Sequence, residues 1–185
     1  MWKLLLLSLA LGAGSVGPGT PLASLQSEKT AQEASDTRHG LKLSIELDRE
    51  SYAPREAPKL RISLKNESNA PIAVYKEIGW GASSSLMMIV FDITGQGLES
   101  DTVFDARHQP PYRQEDFRLI NPGQSFSVVP RLSLQLLGVM GPGTYRLVVW
   151  YQSPVWQEFA PQGLPVWVRE NGSLQSKPVT FKVTP

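Results

Sequence analysis

Apolar and polar residues alternate over several short segments of the chain. The pattern holds at 41–47 (LKLSIEL), 60–65 (LRISLK) and 179–183 (VTFKV). A period of two places every second side chain on one face, so each segment predicts a half-buried β-strand. The segment 86–93 is instead a continuous apolar run with a single charged residue, which predicts a core strand covered on both faces. The segment 72–76 predicts one further strand.

The stretch 141–151 (GPGTYRLVVWY) predicts the strand around which the rest of the fold is built. Its first three residues are typical of a turn. The residues after them fit a strand whose two faces are both largely apolar. We therefore expect a central strand. Tyr145 follows the turn closely, a position typical of a tyrosine corner, in which the ring packs into the core and the hydroxyl bonds back to nearby backbone.

Turn-forming sequences recur at roughly every 8–12 residues, the spacing typical of a sandwich or a barrel. The segment 94–97 (TGQG) predicts a hairpin, 98–105 a weaker edge strand, and 126–136, which contains Pro130, another edge strand. No segment has a helical period. The sequence thus predicts an all-β fold: a single immunoglobulin-like Greek-key antiparallel β-sandwich of about nine strands over residues 41–185. An up-and-down barrel is the alternative, and the long connecting loops count against it.

Two further segments precede the predicted domain. Residues 1–23 contain a lysine followed by an apolar run of about ten residues, which is the composition of an export signal and too short to span a bilayer. The alternative, a buried helix, is opposed by the glycines and prolines at 12–21. Residues 24–40 are polar without an apolar period, which predicts a flexible leader. We expect an exported protein, periplasmic or extracellular, with no membrane span after signal removal.

Charge and cysteine content narrow the possible partners and chemistry. The chain has 18 basic and 17 acidic residues, and removal of the signal takes away one lysine and no acid. A near-neutral domain without a basic run is a poor match for nucleic acid or for an anionic membrane surface. The absence of cysteine excludes disulfides, thiolate metal sites and cysteine nucleophiles, and it favours a bacterial envelope or secreted protein.

The sequence contains no motif for catalysis. Its two histidines are His39, in the predicted leader, and His108, in a polar loop, and no glycine-rich phosphate loop, serine-hydrolase or zinc-protease motif occurs. Met87 and Met88 are adjacent, so on a strand they point to opposite faces and do not share a metal ion. We therefore predict no catalytic residue, no metal site and no cofactor, and a protein that is not an enzyme.

Aromatic residues in the loops are the best candidates for a binding site. The connection 153–172 is longer than ordinary ordered loops, is rich in apolar residues, and is expected at the same end of the sandwich as the turn 66–69. We predict that its Trp156, Phe159 and Trp167 contact a protein or glycan partner, because exposed rings stack on sugars and anchor protein interfaces. The alternative is that the tryptophans of this loop fold back and plug the end of the sandwich.

A second candidate site is predicted at the other end of the sandwich. Successive antiparallel strands send successive loops to opposite ends, so the three loops that carry Trp80, Tyr52 and Tyr112 are expected to meet there. These side chains form the alternative surface for a partner, away from the connection 153–172.

Four segments carry a resemblance to known proteins. They are LKNES at 64–68, FDITG at 91–95, NPGQ at 121–124 and GTYRL at 143–147. Together they resemble bacterial secreted immunoglobulin-like β-sandwich domains, and they are loosely similar to the β-sandwich of intracellular proteinase inhibitors. The resemblance implies a fold and no catalytic residue, because its motifs are turns and strands.

These observations favour a non-enzymatic, exported binding or protein-interaction module. A carbohydrate-binding module that uses the loop tryptophans and a proteinase inhibitor are the alternatives.

Overall fold

The alternating segments of the sequence form strands, as seen in a computed structural model. The structure describes residues 37–79, 86–91, 97–98, 111–135, 137–139 and 141–185. In chain order, the strands are β1 (Thr37–Arg38), β2 (Leu41–Leu47), β3 (Ser51–Tyr52), β4 (Leu60–Asn66), β5 (Ile72–Tyr75), β6 (Leu86–Phe91), β7 (Gly97–Leu98), β8 (Phe117–Ile120), β9 (Ser125–Val128), β10 (Gly143–Gln152), β11 (Ser173–Gln175) and β12 (Val179–Val183). Within this part of the chain, helical structure is confined to single 3₁₀ turns at Gln114–Asp116, Gln157–Phe159 and Arg169–Asn171. The prediction of an all-β fold is confirmed.

The first sheet has the strand order β1-β2-β4-β9, and all its pairs are antiparallel. β2 and β4 pair over their whole length, from Leu41 opposite Asn66 to Leu47 opposite Leu60. This register brings the apolar positions of both strands to the same face, which is why the sheet has a buried side. β9 lies at the edge of the sheet, as predicted, and its continuous ladder ends at Val128, because Pro130 has no N–H to donate. Past the proline, pairing resumes in the same register as a single bridge between Lys59 and Arg131.

The second sheet has the strand order β3-β12-β10-β6-β7. β10 lies between β12 and β6, which confirms the predicted central strand. β11 also pairs with β10, beyond the end of β12, and the chain between β11 and β12 leaves the ladder at Lys177 and Pro178. Ser176 maintains the connection there: its N–H donates to the carbonyl oxygen of Val149 (2.8 Å), and its Oγ accepts from the N–H of Val149 (3.0 Å). β3 and β12 are parallel, whereas the other pairs of this sheet are antiparallel.

Apolar side chains of both sheets meet in one core, so the sheets pack face to face as a β-sandwich. Fully buried members from the first sheet are Leu41, Leu43, Leu60, Ile62 and Leu64, and those from the second are Leu147, Val149, Tyr151 and Leu174. β2, β4 and β9 lie in one sheet, while β6, β10 and β12 lie in the other. All the described residues belong to one compact unit, Ala34–Pro185.

A small two-stranded sheet of β5 and β8 joins this core to a second one. Val74 and Ile120, on one face, belong to the main core. Tyr75 and Phe117, directly opposite each other on the other face, belong to a smaller group that we call the satellite cluster. The satellite cluster consists of buried Tyr75, Tyr112 and Val155 with the partly buried Phe117, Ala160 and Val166.

The fold begins earlier than the sequence indicates. Residues 37–40 were expected to belong to a flexible leader, but β1 pairs with the start of β2 in a hairpin whose two loop residues are His39 and Gly40. Both loop residues have positive φ (44° and 78°), as a two-residue hairpin turn that matches the twist of its strands requires. A side chain at Gly40 would also collide with Ser68, since a Cβ there would lie 2.5 Å from the Ser68 Cβ. The His-Gly pair is therefore a hairpin signal that the polar composition of this segment concealed.

Other differences concern short segments. The hairpin predicted at 94–97 is confirmed by the antiparallel pairing of β6 with β7, and residues 99–105 of the predicted edge strand lie outside the described residues. β11 was not predicted. Val166, in the long connection, forms an isolated parallel bridge with Ala73.

Two tyrosines of β10 differ in the hydrogen bonding of their hydroxyl groups. The hydroxyl of Tyr145 donates a hydrogen bond to the carbonyl oxygen of Gly141, 2.8 Å away, which confirms the predicted tyrosine corner. The hydroxyl of Tyr151 is buried in the core without a hydrogen-bond partner among the described residues, and burial raises the pKa of this side chain.

We expect phenylalanine to have opposite effects at these two positions. Tyr145→Phe removes a hydrogen bond and should lower the free energy of unfolding by about 1 kcal/mol. Tyr151→Phe removes an unsatisfied polar atom and should raise it by about 1 kcal/mol. Urea denaturation of the two variants and the parent measures both changes. A loss of stability in Tyr151→Phe equal to that in Tyr145→Phe would contradict this assignment.

Candidate functional site

The long connection after β10 is an ordered segment that returns to the sheets at several points. Near its start, the carbonyl oxygen of Val155 accepts a hydrogen bond from the N–H of Arg169 (2.7 Å). Farther along, Pro165 and Trp167 bond to both backbone groups of Ala73 in β5, each at 2.8 Å. The segment between these anchor points therefore projects from the domain as a closed loop.

The projecting part of this loop displays two aromatic side chains. Trp156 precedes the 3₁₀ turn Gln157–Phe159, and Phe159 ends it. Trp156 is itself extended (φ −82°, ψ 151°) and caps the turn, so one aromatic side chain stands at each end of this single turn. Trp156 is 43% exposed and Phe159 is 40% exposed. We call this pair the aromatic surface.

Two neighbouring residues hold the aromatic surface in place. The backbone N–H of Gln157 donates to both carboxylate oxygens of Glu170, at 3.1 and 3.2 Å. The guanidinium carbon of Arg169 lies 5.1 Å from the centroid of the Trp156 ring, a cation–π contact that covers part of the ring. The tryptophan is thus exposed and braced at the same time, which lowers the entropy that a partner must remove on binding.

The satellite cluster is the base of this surface. Its rings pack edge to face: the centroid of Tyr75 lies 5.7 Å from that of Tyr112 and 6.0 Å from that of Phe117. Val155, directly before Trp156, is fully buried in the cluster. Leu119 of β8 lies on the same face of the small sheet as Phe117 and is 45% exposed, so it adds apolar area on the cluster's side.

The tyrosines of the satellite cluster act as neutral groups. Burial raises the pKa of Tyr75, and the adjacent Glu77 carboxylate, to which the hydroxyl donates at 3.2 Å, raises it further. Burial also raises the pKa of Tyr112. Neither phenol ionises near neutral pH, so the cluster offers packing and hydrogen bonding and no nucleophile.

Trp167 does not belong to the aromatic surface. It is 3% exposed and packs in the main core, with the His39 ring edge-on at 6.0 Å between centroids. Its indole N–H is buried without a partner. The prediction that Trp167 contacts a ligand is therefore corrected: for this residue, the alternative of a plug over the end of the sandwich is what the structure has. The backbone hydrogen bond from Trp167 to Ala73 fixes this orientation, in which Trp167 faces the main core and the adjacent Val166 packs against the satellite cluster.

The placement of this loop at one end of the sandwich agrees with the sequence argument. His39 contacts Trp167, and the adjacent Gly40 accepts a hydrogen bond from the N–H of Glu67 at 2.7 Å. The β1–β2 hairpin therefore links the long connection to the turn after β4, as expected.

The second candidate site is not assembled by its described members. Tyr52 is buried in the main core, edge-on to Phe181 at 6.1 Å. Tyr112 instead belongs to the satellite cluster, where its hydroxyl donates to the carbonyl oxygen of Pro154 at 3.4 Å. The two tyrosines thus lie in separate clusters, and Tyr112 contacts the very connection from which it was expected to be distant. Trp80 lies outside the described residues.

Tyr52 has a structural role instead. Its hydroxyl lies 2.8 Å from a carboxylate oxygen of Asp48 and 2.7 Å from the carbonyl oxygen of Arg49, and it accepts from the N–H of Arg49 at 3.0 Å. Burial and the Asp48 carboxylate raise the pKa of Tyr52 to about 12. A phenol bound in this way closes the turn between β2 and β3 and is not accessible to a ligand.

Arg169 and Glu170 are the site residues that sequence reasoning missed. Both lie more than ten positions from the residues they support, so no local pattern indicates the contact. Among the described residues, no three His, Cys, Asp or Glu side chains come together as a metal site, and no helix is long and apolar enough to span a membrane.

Comparisons with known proteins leave the function open. Neither a protein-family model nor a curated protein sequence matches the chain. Among solved structures, a β-glucosidase from Erythrobacter marinus matches with a TM-score of 0.37 and 11% identity over 78% of this chain. The chain spans 15% of the length of that enzyme. A match at this score carries no argument about fold or activity.

Proposed function

We propose that this protein is an exported, non-enzymatic binding module that engages a partner protein through Trp156 and Phe159. The observation that carries the proposal is the braced aromatic surface: two exposed rings stand at the two ends of a single turn, beside a cluster of buried aromatic side chains. Aromatic anchors surrounded by packed structure are typical of the residues that contribute most to protein interfaces. Export to the periplasm or the extracellular space is proposed from the apolar segment within residues 1–23.

A carbohydrate is the second candidate ligand, on a specific observation. Arg169 supports Trp156 through a cation–π contact while the indole stays 43% exposed, and an exposed, immobilised indole is suited to stacking on a sugar ring. Burial of Trp167 leaves a single tryptophan on this surface, which favours a protein partner over an extended glycan. The proteinase-inhibitor alternative stays a prediction.

Replacement of the two exposed rings is expected to abolish binding without unfolding the domain. Peptides selected from a displayed random library, and glycans on an array, provide the probes. Trp156→Ala and Phe159→Ala should each weaken a selected ligand at least tenfold, the effect of removing an aromatic anchor. Each should lower the free energy of unfolding by only about 1 kcal/mol or less, because both rings are exposed.

Val129→Ala is the matched control. Val129 is 49% exposed and lies after β9, outside the aromatic surface, so this variant should bind as the parent does. Ligands that bind the parent and both aromatic variants with equal affinity would rule out this surface. Loss of glycan binding alone would identify the carbohydrate module.

A further inference from the structure

A concave region is lined by residues that do not belong to the aromatic surface. It is a depression of about 400 Å³ between two segments, 54–57 in the loop after β3 and 131–135 in the segment after β9. The backbone of the second segment is fixed, because Leu132 and Leu134 are buried in the main core. Pro54 and Ala57 contribute apolar area to the wall. The volume is within the usual range for small-molecule sites, about 300–1,000 Å³.

Two exposed arginines, Arg55 and Arg131, line this depression. In the described part of the chain, neither guanidinium has an ion pair or a hydrogen bond. The one carboxylate in the lining, Glu56, is already engaged: it accepts from the guanidinium of Arg49 at 3.1 Å and from the N–H of Ala53 at 2.8 Å. The depression therefore has an excess of positive charge.

A third cation, Lys59, stands opposite one of these arginines without itself lining the depression. Lys59 and Arg131 are directly opposite each other in an isolated antiparallel bridge, with flanking backbone hydrogen bonds of 3.1 Å (Leu60 to Pro130) and 2.7 Å (Leu132 to Pro58). Like charges in directly opposed positions are destabilising. The nearby Asp48 carboxylate is held by the hydroxyl of Tyr52 and by the backbone N–H of Lys59. An anion between these cations would relieve the repulsion.

We propose that this depression binds a small organic anion, whose carboxylate or phosphate group is held by Arg55 and Arg131. The planar guanidinium presents paired N–H donors that match the oxygens of either group. Pro54 and Ala57 would contact the carbon skeleton of the ligand. The site shares no residue with the aromatic surface, so it is independent of the proposed protein partner.

Titration with two simple anions tests the site. Inorganic phosphate and succinate are added separately to the whole protein, with sodium chloride at matched ionic strength as the reference, and binding is followed by calorimetry and by the midpoint of thermal unfolding. We expect at least one of the anions to raise the midpoint relative to chloride. Arg55→Gln and Arg131→Gln should each weaken that anion about tenfold or more, the usual effect of losing a charge-assisted hydrogen bond.

Arg118→Gln is the matched control, since Arg118 is an exposed arginine on β8 outside the depression. It should bind phosphate and succinate as the parent does. In chloride, Arg131→Gln should melt at the same temperature as the parent or higher, because the variant removes the repulsion with Lys59; this separates loss of binding from loss of folding. Binding of phosphate alone or of succinate alone supports the site and identifies the ligand group. Equal affinities in the parent, Arg55→Gln and Arg131→Gln, or a midpoint shift that chloride reproduces, would overturn the proposal.

Discussion

Replacement of Asn66 by aspartate is expected to lower the free energy of unfolding by about 3 kcal/mol or more at pH 7. Asn66 is fully buried at the end of β4. Its Nδ2 donates to the carbonyl oxygens of Ala70 (2.7 Å) and Ile120 (2.8 Å), and its Oδ1 accepts from the N–H (2.9 Å) and the hydroxyl (2.7 Å) of Ser68. Three of these hydrogen bonds lie within the turn after β4, and the fourth joins this turn to Ile120 at the end of β8.

The aspartate variant would place an oxygen where Nδ2 now meets two carbonyl oxygens. Only a protonated carboxyl group can donate there, so both burial and these carbonyl groups should raise the pKa of Asp at this position above its ordinary value of about 3.9. A group whose pKa is higher in the folded state stabilises the fold at low pH, and that contribution is lost as pH rises. We therefore expect the deficit of Asn66→Asp to be smaller at pH 4 than at pH 7.

Asn69→Asp is the control for this experiment, because Asn69 is exposed in the same turn. It makes the same chemical change without burial and should alter stability by about 0.5 kcal/mol or less. Urea denaturation of the parent and both variants at pH 4 and pH 7 gives the free energies of unfolding from which each deficit is obtained. A deficit in Asn66→Asp that does not change with pH would mean that its carboxyl group has not been forced to bind a proton.

Leu147→Ala is expected to lower the free energy of unfolding by roughly 2–5 kcal/mol, the range for large-to-small replacements in packed cores. Leu147 is fully buried on β10, with Val90 of β6 and Val179 of β12 as its two cross-strand neighbours. A cavity at this point lies in the middle of the sandwich, where neighbouring side chains are least able to move into it.

Val129→Ala provides the reference for Leu147→Ala, since it also truncates an aliphatic side chain but at an exposed position. Its cost should be about 0.5 kcal/mol or less. Thermal and urea unfolding compare the two variants. Similar losses in both would place the centre of the core elsewhere than on β10.

The sequence identified only part of the exposed aromatic surface, because the orientation of one loop tryptophan depends on a distant contact. Trp156 and Phe159 were identified from the length and apolar content of their loop, and both are exposed. Trp167 has the same local composition around it and is nevertheless buried. The difference arises because Trp167 hydrogen-bonds through its backbone to Ala73, which turns its ring to the core. That partner is more than 90 residues away along the chain.

Alternation of apolar and polar residues by itself determined the class of fold and most of the strands. The strands β2, β4, β10 and β12 follow from it because a strand's period of two is a property of the backbone, independent of what lies beside the strand. β6 follows instead from its continuous apolar run. The tyrosine corner also follows from sequence, since Tyr145 and Gly141 are only four residues apart.

Tertiary structure alone decided which residues meet across the chain. Three arrangements depend on contacts between distant segments: Tyr52 and Tyr112 lie in different clusters, Arg169 packs on the ring of Trp156, and Lys59 lies opposite Arg131. Such contacts are set by sheet register and loop paths, in which a shift of one residue reverses the face of every side chain. Local periodicity is the same before and after such a shift, so it predicts the strands and not the sites that form between them.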